Sequence, residues 1–308
     1  INSPMWVQYY AACDDLSIHN VTVQSTVNYN NDGIDIDGCH HVRISDCNIR
    51  SGDDAIALKS LSPRMCKDVT ITNCVISSHC NAIKCGTETT GGFENIVVNN
   101  CTIYDTRLSG IALEIVDGGT MDQILISNIV MKDVKGGIFI RLGDRARPYL
   151  SRKPTVQHLP EYKMEDEYAH PQPGVVKNIL IKNVIASGIG NTGCSVTGLP
   201  EHKAANIKLK DLSLQFLGGG KKAWVKETIP EYREKYPEYN MFGPLPAYGL
   251  YCRHVENLEL SHLSLSYENH EARPAIYLED VINYETEGLQ LSQPASDYES
   301  MIIEASQK

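Results

Sequence analysis

The sequence predicts an all-β chain wound as a right-handed parallel β-helix. Three observations carry that prediction. A short apolar and polar motif returns at a spacing of about 27 residues. No repeating unit holds a good amphipathic helix pattern. A second set of short strands aligns across the same units, column by column.

The first motif reads Ile18-His19-Asn20-Val21, Ile44-Ser45-Asp46-Cys47, Ile71-Thr72-Asn73-Cys74 and Val98-Asn99-Asn100-Cys101. It continues as Ile126-Ser127-Asn128-Ile129, Ile181-Lys182-Asn183-Val184, Leu209-Lys210-Asp211-Leu212 and Leu260-Ser261-His262-Leu263. Its polar third position falls at 20, 46, 73, 100 and 128, so the steps are 26, 27, 27 and 28 residues. One such unit cannot bury its own apolar face, whereas stacked units bury Ile against Ile at about 4.8 Å per coil. Asn20, Asn73, Asn100, Asn128 and Asn183 are expected to stack at a turn, because Asn tolerates positive φ. Cys47, Cys74 and Cys101 recur every 27 residues and are expected to form an interior thiol column. A leucine-rich repeat would need a Leu framework, and this one is Ile, Val and Cys with Asn.

The second register reads Gly33-Ile34-Asp35-Ile36-Asp37, Ala55-Ile56-Ala57-Leu58-Lys59 and Ala82-Ile83-Lys84-Cys85-Gly86. Gly110-Ile111-Ala112-Leu113-Glu114 and Gly137-Ile138-Phe139-Ile140-Arg141 follow. Ile34, Ile56, Ile83, Ile111 and Ile138 form one inward column; Ile36, Leu58, Cys85, Leu113 and Ile140 form another. Strand alternation then points Asp35, Asp37, Lys59, Lys84, Glu114 and Arg141 outward, onto what is expected to be an open face. Such a row suits a solvated surface or a saccharide groove.

Just before this strand, Asp32, Asp54, Asn81, Ser109 and Gly136 share one column, with Asp53 beside Asp54. Three carboxylates therefore fall on two adjacent coils, where mutual repulsion raises at least one pKa. A protonated carboxyl beside an ionised one is the apparatus of glycoside hydrolysis. A turn rich in Asp for backbone hydrogen bonding fits the same residues equally well.

The bulk composition narrows the partners. A net charge of −10 over 308 residues argues against a nucleic-acid partner, which wants a basic face. No stretch approaches a membrane-spanning helix. The ten Cys fit either a disulfide framework or buried thiols, and no Cys-x-x-Cys suggests zinc. The 16 Tyr suit sugar stacking. The chain starts at Ile1 without a Met or a leader, which reads as a processed end or a boundary with an N-terminal part missing. Residues 1–308 are expected to be a single β-helix domain. Two stretches break its period, at about 143–174 and 218–248. Loops of that length are usually functional, and both are expected to project from one edge and wall a groove.

Two motifs resemble a known family. Asn30-Asn31-Asp32-Gly33-Ile34-Asp35 resembles the Asn-Thr-Asp-Gly-Ile-Asp motif of polygalacturonases, glycoside hydrolase family 28. Ser51-Gly52-Asp53-Asp54-Ala55 resembles that family's Gly/Gln-Asp-Asp motif, 21 residues on from Asp32 to Asp53. The stretch Met241-Phe242-Gly243-Pro244-Leu245-Pro246-Ala247-Tyr248-Gly249 is similar to a bacterial branch of the same family. The resemblance implies an inverting hydrolase that needs no metal or cofactor and acts on an acidic plant polysaccharide or oligosaccharide of the pectin class. Asp53 would protonate the leaving oxygen, and Asp32 and Asp54 would activate water, across a gap of roughly 6.5–9.5 Å. It also implies an exported protein, extracellular or periplasmic.

The departures are informative. The family's Gly-His-Gly aligns with Cys80-Asn81-Ala82, so Asn81 stands for the His, and His79 lies two residues earlier. The Arg-Ile-Lys that holds a galacturonate carboxylate aligns with Ala112-Leu113-Glu114. Lys59, Lys84, Arg141 and Arg145 are the cations left to serve, so Asn81, His79, Lys59, Lys84, Glu114, Arg141 and Arg145 are the candidate substrate-binding residues. The alternative is an uncharged sugar after the scissile bond. The insertions suggest exo-type action. Two rivals share the fold: a lyase or epimerase in which the three aspartates ligate Ca²⁺, and a non-catalytic saccharide-binding β-helix.

Overall fold

The computed structural model describes residues 2–147 and 173–307. It is a parallel β-helix in which every coil hydrogen-bonds to the coils before and after it. Among the described residues the sole helical element is a single 3-10 turn, Lys222–Lys226.

Both apolar columns form as the alternation predicts. Ile34 pairs with Ile56, Ile56 with Ile83, Ile83 with Ile111 and Ile111 with Ile138. Ile36, Leu58, Cys85, Leu113 and Ile140 run alongside in the same register. All ten side chains are buried. Parallel in-register stacking makes each of them touch its like above and below, so a single truncation leaves a void that neither neighbour can fill. Ile111→Ala is therefore expected to cost about 2–5 kcal/mol in a urea unfolding titration; a loss below about 1 kcal/mol would show that the coil collapses onto the gap.

The turns are built on positive φ. Asn20, Asp46, Asn73, Asn100, Asn128, Asn183, Asp211 and His262 all sit at φ between 54 and 57°. Amides bond along this stack: the Asn73 side chain donates to Asp46 at 3.2 Å, that of Asn128 to Asn99 at 2.8 Å, and that of Asn183 to Asn128. A second ladder, not evident in the sequence, runs through Asn95, Asn178, Asn206, Asn257 and Asn283. Asn206 donates to Asn178 at 2.8 Å and Asn257 to Asn206 at 2.9 Å. Asn and Asp accept the left-handed conformation because their short polar side chains bond locally.

All ten cysteines are free thiols. Cys47, Cys74 and Cys101 form the interior column, and each thiol donates to the carbonyl two residues before it, at 3.2, 3.3 and 3.4 Å.

The 218–248 stretch departs from expectation. It is a strap laid flat on the outward side of the strand column. Val225, Ile229, Met241, Phe242, Leu245 and Ala247 pack on Ala112, Phe139, Tyr251 and Tyr277, a second apolar core outside the coil. Those four receivers occupy outward strand positions, where solvent-facing polar residues were the simpler expectation. The other stretch, about 143–174, lies mostly outside the described residues; Gly143–Arg147 are placed and 148–172 are not.

Candidate active site

The outward row is not an open face. Asp35, Asp37, Lys59, Lys84, Glu114 and Arg141 are all buried. The strap covers Lys84 and Arg141, whereas Trp6 lies over Lys59 and Tyr9 donates to Asp37, which alternation alone could not reveal.

The first of the three aspartates is reached through Gly33, whose N–H donates to Asp54 O at 2.9 Å, so Asp32 and Asp54 lie on neighbouring coils. Asp32 is 3% exposed and Asp54 is 4% exposed. Asp53 is half-buried and faces outward more than either. It accepts the N–H of Asp54 at 2.9 Å and that of Asn30 at 3.2 Å. The carboxylate oxygens of Asp53 and Asp54 and the Cys80 sulfur lie within 4.8 Å of one another.

Two lysines organise the rest. Lys59 Nζ faces Asp32 at 3.6 Å, Asp35 at 3.5 Å and Glu88 at 3.7 Å. Lys84 Nζ faces Asp54 at 3.1 Å, Glu238 at 3.7 Å and Glu114 at 4.0 Å. Two ammonium groups cannot neutralise six carboxylates in a poorly solvated place, so protons make up the difference. Burial pushes Asp32 up to about 7 against the pull of Lys59. Burial and the neighbouring Asp32 push Asp35 up to about 9. Burial likewise lifts Glu114 to about 8 and Glu238 to about 7. Asp54 goes the other way. Burial opposes its charge, but Lys84, Lys59 and two hydrogen bonds from Asn81 hold it below the usual range. Those bonds come from the Asn81 backbone at 3.0 Å and its amide at 2.9 Å. The Asn81 carbonyl accepts Ser109 N–H at 2.9 Å, which fixes the amide's orientation. The site thus holds Asp54 ionised beside Asp32, Asp35, Glu114 and Glu238, whose carboxyls keep their protons to higher pH, the split that acid–base chemistry needs.

Glu238 and Tyr236 come from the strap. The Asn81 amide lies 3.5 Å from both Glu238 oxygens. Thr87 donates to the Tyr236 hydroxyl at 2.9 Å, and Lys84 lies 5.6 Å from the centre of that ring. Tyr239 covers Gly136: a Cβ there would stand 2.7 Å from the ring. That explains why the column Asp32, Asp54, Asn81, Ser109, Gly136 loses its side chain at the end. The strap roofs the column there.

Of the expected substrate-binding residues, Asn81, Lys59, Lys84 and Glu114 converge around the aspartates. Arg141 does not present a free cation. It donates to the strap carbonyl of Glu231 at 2.8 Å and to Gly198 O at 3.2 Å, and so anchors the strap. Arg145 is held bidentately by Asp117, with its Nε 2.8 Å from Oδ1. His79 is half-buried on the flank next to Cys80. Burial, with Arg107 and Arg50 close by, holds it below the ordinary His value. Sequence reasoning missed Glu238, Tyr236 and Glu88 as members of the site. None of the three carries a signal in the repeat, whereas Asp35 was visible as part of the aspartate-rich strand.

The sequence profile of glycosyl hydrolases family 28 matches residues 1–232, which include Asp32, Asp53 and Asp54. The chain belongs to family 28. It is 31% identical over 146 residues to a probable polygalacturonase of Vitis vinifera, covering 44% of this chain and 30% of that protein. It is 28% identical over 184 residues to a polygalacturonase of Cochliobolus carbonum, covering 58% of this chain and 44% of the other. Its fold resembles that of a hyperthermoactive exopolygalacturonase from Thermotoga maritima at a TM-score of 0.54, with 24% identity over 69% of this chain and 45% of that one. The chain thus spans less than half the length of each of these relatives. Family 28 is a family of glycosyl hydrolases, and its profile covers the part of this chain that carries the aspartate trio. The donor chemistry agrees. Lys59 and Lys84 occupy the positions beside Asp32 and Asp54 that a cation would need, and Cys80 is a soft ligand ill-suited to Ca²⁺.

Proposed function

We propose that this chain hydrolyses pectic saccharides from a chain end, by inversion. One observation carries the reading: Asp54 is held ionised against Asn81 and Lys84 while the more exposed Asp53 stands next to it. Asp53 delivers the proton to the leaving oxygen, and Asp54 orients and deprotonates the attacking water, although their nearest oxygens lie within 4.8 Å, closer than the roughly 6.5–9.5 Å expected of an inverting pair. Asp32, which keeps its proton up to about 7, hydrogen-bonds the water or the sugar in mildly acidic solution.

The end-on mode follows from the strap. Tyr239 roofs the groove at Gly136, and the apolar strap residues fill the outward face from Ala112 to Tyr277. A long chain has no passage in that direction. It can extend toward the earlier coils, where Trp6 and Tyr9 pack with ring centres 4.9 Å apart and offer a sugar-stacking surface.

Anionic units have a partner on the flank. Arg50 and Arg107 are exposed, stand on coils either side of His79 and make no ion pair among the described residues. Their placement follows from backbone register: His79 N–H donates to Ser51 O at 3.1 Å, and Leu108 N–H to Cys80 O at 2.9 Å.

Digestion of defined pectic oligosaccharides tests this. The expected result is stepwise loss of one terminal unit with inverted anomeric configuration and a saturated product. Rapid viscosity loss from a long polymer would overturn the end-on mode. An unsaturated, ultraviolet-absorbing product would overturn hydrolysis itself.

A further inference from the structure

Among the described residues every cation at the carboxylate centre is buried and already matched, whereas the groups that reach its surface are acids. Lys84 is 2% exposed and lies beneath Asp54, Glu114 and Glu238. Lys59 lies beneath Asp32, Asp35 and Glu88. Arg141 and Arg145 are tied to strap carbonyls and to Asp117. At the surface stand Asp53, the Glu238 side chain at 20% exposure and the Glu88 side chain at 34%. One Glu114 oxygen has no hydrogen-bond partner at all, so the ground beneath is already short of donors. A sugar carboxylate seated here would meet carboxyl oxygens and find no free donor cation among the described residues. Like charges at such range cost more as water is excluded. A neutral sugar finds the opposite: its hydroxyls can donate to Glu238 and accept from it while it holds its proton.

The structure assigns Glu238 as a specificity-determining residue: carried in by the strap, it makes the strap side of the cleavage site a seat for an uncharged sugar unit. This deepens the hydrolase reading above and rests on it. The preferred substrate is then a pectic chain in which uronate and neutral sugars alternate. The neutral unit packs against Glu238 and Tyr239, and a uronate lies toward the Arg50 and Arg107 flank. Because Glu238 comes from the strap, a shorter segment there would lose the selection while leaving the aspartate centre in place.

The test compares two oligosaccharides of equal length, one alternating uronate and neutral sugar, the other all uronate. The wild-type chain is expected to cleave the alternating one with at least about 100-fold higher kcat/KM, and the ratio is expected to widen from pH 5 to pH 8 as Glu238 gives up its proton near 7. Glu238→Lys places a cation at the surface and is expected to shrink the ratio at least tenfold, mainly through a lower KM for the all-uronate chain. Equal or better wild-type cleavage of the all-uronate chain overturns the assignment and leaves the hydrolase reading intact. A ratio that Glu238→Lys does not move also overturns it. If neither oligosaccharide is cleaved, both readings fall together. The wild-type comparison needs no variant to fold.

Discussion

Asp53→Asn is expected to stop turnover while leaving saccharide binding in place. The side chain is the accessible member of the trio, and its oxygens accept the backbone N–H groups of Asp54 and Asn30. The amide oxygen can keep the shorter bond, from Asp54 N–H, while the NH2 meets only the longer Asn30 contact at a half-buried position, so the disturbance to the coil is small. What is lost is the transferable proton, and general acid–base assistance of this kind contributes on the order of 10²–10⁴ in rate. Reducing-end release should fall by that factor. Calorimetric titration with a resistant oligosaccharide should give a Kd within about threefold of the native one. A rate that stays unchanged removes Asp53 from the chemistry and returns the aspartate-rich turn to a purely architectural role.

Lys84→Met should weaken both the fold and the chemistry, and more severely in alkali than in acid. Lys84 is the shared counter-charge of Asp54, Glu114 and Glu238. Removing one partner of a buried ion pair costs about 3–5 kcal/mol, because the partner charge stays behind. The sign with pH follows from linkage. In the native chain Asp54 lies below its unfolded value, so its contribution is present above that value and fades as pH falls through the folded one. Without Lys84, burial dominates and Asp54 joins Glu114 and Glu238 above their unfolded values. Groups raised in this way contribute fully below the unfolded pKa and lose that contribution as pH rises through the folded one. Urea titrations should therefore show a larger deficit at pH 8 than at pH 5. The acidic limb of the rate profile, set by Asp54, should move to higher pH. Equal deficits at both values would mean that Lys84 acts by packing alone.

The parts of the site that were legible in the sequence were those inside the repeat. Asp32, Asp53, Asp54 and Asn81 could be stacked because each sits at a short fixed offset from the recurring Ile column. Lys59, Lys84 and Glu114 were found in the same way, but their surroundings were misjudged. Alternation tells which side of a strand a residue faces and says nothing of what lies on that side. Glu238 stands 157 residues from Asn81, its contact across the site, and no period connects the two. The strap's apolar residues were visible, yet nothing in their spacing showed that they would lie on Phe139 and Tyr251.

By itself the sequence determined the coil, its inward columns, its asparagine turns and the aspartates that share neighbouring coils. Those features are local and repeat, so stacking energy selects one register for all of them. The tertiary structure alone decided that the outward charges are covered and that Asp54 is held ionised while Asp32, Asp35, Glu114 and Glu238 keep their protons to higher pH. It alone set Tyr239 of the strap over Gly136. These depend on which distant segment excludes water from the face, and desolvation is a property of the assembled surface rather than of any stretch of chain.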